Sequence, residues 1–159
     1  METAKRVFFN RWLLALLILS VAALGISLLA EHVFHLKACV MCKLQRIPFA
    51  LLLVNSLFGI MTAYKAGFFR VVQGCLLLGG ILGLGHFLVQ IGMFPDPCAT
   101  QKGLSSVQDF SQMLTTSRCS ELSWKILEVP VSLINAGFCF GVLGISIRGS
   151  RKMRKAEMV

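Results

Sequence analysis

Charge is scarce in this sequence. Of its 159 residues, 14% are charged and only 7 are acidic. A soluble domain of this length needs a more polar surface, so the composition excludes an ordinary water-soluble globule. Four stretches, 12–30, 47–63, 71–94 and 130–147, contain no Lys, Arg, Asp or Glu at all. A clustered basic face is also missing. That excludes nucleic acid as a partner despite a net charge of +9, because groove binding needs basic residues gathered on one folded surface. What replaces charge is apolar bulk, 56% of the chain, with a mean hydropathy of +0.76.

A bilayer core about 30 Å thick needs roughly 17–25 apolar residues in a helix. The four uncharged stretches meet that length, so the sequence predicts an all-α membrane protein, a four-transmembrane-helix bundle forming a single domain over 1–159. Lys5, Arg6 and Arg11 precede the first stretch as in a secretory leader. Its apolar core is as long as a full span, though, whereas leader cores run roughly 7–15 residues. The expected connections are an outer loop at 31–46, a turn at 64–70 and a long polar outer loop at 95–129.

Four spans put both termini and the 64–70 turn on one side. That side holds Lys5, Arg6, Arg11, Lys65, Arg70, Arg148, Arg151, Lys152, Arg154 and Lys155. The other, longer side holds Lys37, Lys43, Arg46, Lys102, Arg118 and Lys125. The excess of basic residues marks the cytoplasmic side. Both larger loops then face outward, into an oxidising compartment if the membrane is bacterial.

This topology sorts the six cysteines. Cys39 and Cys42 fall in the first outer loop, Cys98 and Cys119 in the second, and Cys75 and Cys139 within spans. Span cysteines behave as small apolar residues and are expected to pack. A four-thiolate zinc site needs a second close pair, but Cys98 and Cys119 are separated by 20 residues with no loop histidine in register. Cys39 and Cys42 form a C-x-x-C. A bond across two residues restricts the unfolded chain little, so the spacing suits thiol exchange better than a structural bridge.

Arg46 is four residues beyond Cys42. If the second span begins near Cys42, the two share a helix face, and the guanidinium and the helix start would both favour a thiolate. Arg46 could equally be an interfacial anchor. His86 and Gln90 repeat this spacing in the outward half of the third span. Polar residues in a span face the bundle interior and often mark a site, though an interhelical hydrogen bond explains them as well. A quinone fits such a setting, because it lives in lipid, accepts two electrons and carries carbonyl oxygens. Gly79/Gly83 and Gly137/Gly141 are small-residue pairs that suit close helix packing. Leu104, Val107, Phe110 and Leu114 make an apolar stripe that suits either a helix lying on the membrane or one packed on the bundle.

Several segments together resemble the DsbB family of bacterial inner-membrane disulfide-generating proteins. "CVMCKLQR" at 39–46 is similar to its C-x-x-C-x-x-x-R segment, and "HFLVQ" at 86–90 to its H-x-x-x-Q segment. "CSELSW" at 119–124, followed by Pro130, is similar to its C-x-E-x-x-W…P segment. The resemblance covers nearly the whole chain. It implies a multi-pass protein of the inner membrane, with cytoplasmic termini and two periplasmic loops. It implies that a periplasmic DsbA-like thioredoxin-fold protein is reoxidised through attack at Cys98 of a Cys98–Cys119 disulfide. Electrons would pass through a Cys39–Cys119 bond to Cys39–Cys42, and then to ubiquinone or menaquinone of the membrane pool. Cys39, Cys42, Cys98 and Cys119 are the implied catalytic residues. Arg46, His86 and Gln90 are implied at the quinone, and no metal is implied. Ala38 stands where many members carry Pro, and Gln45 where some carry an acidic residue. Two rivals differ in class: a non-enzymatic four-span subunit with structural disulfides, which needs neither Arg46 nor Cys42, and a quinone reductase of the vitamin K epoxide reductase type, whose C-x-x-C ends a late span.

Overall fold

A computed structural model describes residues 2–35, 38–62, 65–96, 125–126 and 129–155. Cys98, Cys119 and the stripe from Leu104 to Leu114 lie outside the described residues. The helices are α1 (Glu2–His32), α2 (Val40–Leu44), α3 (Arg46–Met61), α4 (Lys65–Gln90) and α5 (Val131–Lys155). Just ahead of α5, β1 (Lys125–Ile126) pairs antiparallel with β2 (Val129–Pro130).

Four helical segments are long and apolar enough to cross a membrane: Arg6–His32, Val40–Met61, Gly67–Gln90 and Val131–Arg151. The expected four-helix bundle is the one observed. α1, α4 and α5 run further toward the side of the termini than their uncharged stretches do, whereas α3 stops at Met61. α1 has 31 residues, about 46 Å at 1.5 Å per residue, so it overhangs a hydrocarbon core. α4 starts at Lys65, inside the stretch expected as a turn. Charge marks where hydrocarbon ends, and a helix can continue past that boundary.

The other end of α4 is shorter than expected, stopping at Gln90 and not at Phe94. Gly92 takes a left-handed φ of 78°. Its N–H donates to Val89 O at 3.1 Å, and the N–H of Met93 donates to Leu88 O at 3.0 Å. These two bonds are the Schellman closure, which satisfies the last carbonyls and turns the chain away.

α4 packs against α5 and α3, and α1 packs against α3. Leu13 and Leu16 of α1, Leu52 of α3, and Val72, Cys75 and Leu76 of α4 form an apolar cluster in the half nearer the termini. Gly79 and Gly83 face α5: a Cβ on Gly83 would lie 3.0 Å from Ala136 N and 3.1 Å from Ser132 O. A Cβ on Gly137 or Gly141 would meet nothing within 4 Å, so the second glycine pair makes no such approach. The outer surface is apolar, with Ile18, Ile26, Phe58 and Ile81 exposed, while Ser20, Ser56, Ser132 and Ser146 are buried. That distribution suits a bundle solvated by lipid.

Candidate functional site

The end opposite the termini is built differently. Cys39 precedes α2 as its N-cap, with extended backbone, and its sulfur accepts a hydrogen bond from the N–H of Cys42 at 3.3 Å. The cap satisfies a backbone donor that the first turn leaves open. It also brings the two side chains together. Both are thiols, and Cys39 Sγ donates to Cys42 Sγ at 3.1 Å. Cys39 is 4% exposed, whereas Cys42 is half-buried. Its hydrogen bond to Cys42 and then its burial push the Cys39 thiol up to about 12, with His86 pulling the other way. Cys39 therefore keeps its proton where an ordinary thiol would lose it.

His86 of α4 is 3% exposed. Its Nε2 lies 3.6 Å from Cys39 Sγ, and its Nδ1 lies 3.1 Å from Gln45 Nε2. Gln45 is the single residue between α2 and α3. Its Nε2 also donates to Leu82 O at 3.4 Å, and its Oε1 accepts from Asn135 Nδ2 of α5 at 3.3 Å. Asn135 Oδ1 in turn accepts from Cys139 Sγ at 3.7 Å.

The remaining expected site residues separate. Arg46 opens α3 just past the joint at Gln45, whose backbone stays right-handed helical and whose N–H still donates to Met41 O. Its Nε donates to Ser27 Oγ at 2.8 Å, its Nη2 to Ser27 O at 3.4 Å, and its Nη1 pairs with Glu31 at 2.5 Å. The contacts described for this guanidinium run to α1. Gln90 accepts a hydrogen bond from Ser132 of α5. So Cys39, Cys42 and His86 come together, while Arg46 and Gln90 face other partners.

Cys39, Cys42 and His86 place three ligand-type atoms within 4.8 Å of one another. Two thiolates and an imidazole are a donor set that zinc accepts. A ligating imidazole, however, presents a lone pair to the metal and donates its other N–H to an acceptor. Here Nδ1 faces an amide N–H, so the surroundings of His86 oppose ligation through Nε2.

The sequence model of the family "Disulfide bond formation protein DsbB" matches residues 9–148. The chain belongs to the DsbB family. It is 30% identical to Disulfide bond formation protein B of Shewanella sp. (strain W3-18-1), with 72% of this chain and 73% of that one covered. No solved structure matches it. Membership of the DsbB family, together with the four spanning helices, makes this a multi-pass membrane protein of disulfide bond formation. Sequence reasoning missed Gln45, Asn135, Ser27 and Glu31. The amides carried a signal, since a polar residue in or beside an uncharged span is expected to face the bundle interior.

Proposed function

We propose that the protein oxidises the dithiol of a periplasmic DsbA-like, thioredoxin-fold partner and delivers the electrons to membrane quinone, ubiquinone or menaquinone. The observation that carries this reading is the C-x-x-C pair held as close thiols at the edge of the spans. Closing the pair to a disulfide asks the sulfurs to approach by only about 1 Å. Bound there, a quinone supplies a two-electron, two-proton acceptor.

The fit of that group is best at Cys42 and Arg46. Cys42 is half-buried, and Val40, Leu44 and Ile47 beside it expose apolar surface. Arg46, 20% exposed, stands at the same stretch, and a quinone carbonyl there would share a guanidinium whose Nε, Nη1 and Nη2 already serve Ser27 and Glu31. His86 fits less well, because both ring nitrogens already face protein groups. It is better read as a partner of Cys39. The second-loop pair, Cys98 and Cys119, is the proposed contact with the partner protein. Thiolate attack at Cys98 forms one S–S bond and breaks another, releasing Cys119 as a thiolate. That thiolate attacks Cys39 of the Cys39–Cys42 bond, leaving the electron pair on Cys42. The excess of basic residues near the termini supports the bacterial inner membrane with cytoplasmic termini.

The test is turnover by purified protein in lipid discs, given a reduced thioredoxin-fold dithiol protein and quinone. Quinol formation and partner oxidation should match one to one. Alanine at Cys39, Cys42, Cys98 or Cys119 should reduce the rate to that of protein-free discs, while Cys75→Ala retains it. Full turnover by Cys42→Ala would sink the reading.

A further inference from the structure

The polar contacts at the site have a direction. Leu82 O can only accept, so the Gln45 nitrogen facing it is the N–H₂. The Asn135 donor at Gln45 Oε1 agrees with that orientation, as does the Cys139 thiol at Asn135 Oδ1. Gln45 Nε2 therefore presents an N–H to His86 Nδ1. A neutral imidazole that accepts at Nδ1 carries its proton on Nε2, and that nitrogen points at Cys39 Sγ. Cys39 Sγ then donates to Cys42 Sγ. From Cys139 through Asn135, Gln45, His86 and Cys39, every donor points the same way.

We propose that Gln45 and Asn135 are positioning residues that hold His86 as its Nε2–H tautomer, so that the ring donates to Cys39 Sγ and does not accept from it. With the proton on Nδ1, Nε2 would accept from Cys39, and the Cys39 S–H would turn from Cys42 to His86. In the observed direction the ring N–H and the N–H of Cys42 both reach Cys39 Sγ and favour negative charge on it. The ring thus offsets part of the rise that Cys42 and burial impose on that thiol. The ionisable neighbours are Cys42 and Lys43 on the same segment, His86 on α4, Cys139 on α5, and the Arg46–Glu31 pair joining α3 to α1. The use of Cys39 in exchange rests on the redox reading above; the tautomer does not.

The chain has three histidines, and His32 and His35 are exposed. A protein with His32→Gln and His35→Gln, labelled with nitrogen-15 histidine and reduced, reports the ring nitrogens of His86 alone by NMR. A protonated Nε2 with an unprotonated Nδ1 is expected, and an Nδ1–H signal overturns the proposal. This measurement keeps Gln45 intact and does not depend on any variant at that position folding. The second arm is Gln45→Met, which keeps length and removes the donor. A mixed tautomer is expected, and alkylation of Cys39 at pH 9 should slow roughly threefold to tenfold, the worth of about one hydrogen bond. Unchanged tautomer and unchanged Cys39 reactivity would remove the positioning role. If both arms succeed and the native protein fails to reduce quinone, the redox reading falls while the donor chain stands.

Discussion

The two ends of this bundle solve different problems. Near the termini, Leu13, Leu16, Leu52, Val72 and Leu76 pack an apolar cluster, with isolated bonds beside it from Asn55 to Phe68 O and from Gln73 to Ser150. At the opposite end, Cys39, His86, Gln45 and Asn135 are joined by hydrogen bonds across α2, α4 and α5. In lipid, apolar packing does little to fix which helix faces meet, since the tails are as apolar as leucine. Hydrogen bonds are directional and add that information. The difference is that the bonds near the termini stand singly, whereas those at the opposite end are linked through shared side chains and fix several helices at once.

That contrast can be broken by experiment, and the largest expected effect is at the polar end. In the reduced protein, buried Cys39 should resist alkylation through pH 9 and react more slowly than half-buried Cys42. Its folded value, about 12, lies above the ordinary 9.0. The stability it contributes is therefore full below about pH 9 and is lost as pH rises toward 12. Peptide mapping after timed alkylation at several pH values measures this, and equal rates for the two sulfurs would erase the asymmetry. Next, Leu52→Ala at the end near the termini should cost about 2–5 kcal/mol of stability yet leave the Cys42 alkylation rate of folded protein unchanged. Unfolding in mixed micelles gives the first quantity, and a coupled change in Cys42 would show that the ends are not separable. The smallest effect belongs to Glu31→Gln. Its ion pair with Arg46 is partly exposed, so the loss should be about 1 kcal/mol or less and should shrink with added salt.

The sequence carried the bundle because span length and the absence of charge are decided by the bilayer, one helix at a time. It carried Cys39 and Cys42 through their spacing. It carried a mark of the joint at Gln45 that went unread: Pro48, three residues on, has no N–H to give the carbonyl of Leu44. The turn of Arg46 to Glu31 was hidden, since Glu31 is 15 positions away and fell just past the first uncharged stretch. The stop at Gly92 was legible: a glycine three residues before Pro95 is a helix-ending pattern. Cys98 and Cys119 rest on sequence alone.

The joint at Gln45 has a mechanical consequence. Both sulfurs belong to one turn, Cys39 as the cap and Cys42 three residues on. The bundle is gripped elsewhere, by Arg46 on α1 and by the close approach of α4 to α5 at Gly83. Making or breaking the Cys39–Cys42 bond is then work done inside a five-residue helix, with the long helices as a fixed frame. On the proposed redox reading, each cycle leaves the interior of the bundle and the lipid around the spans in place.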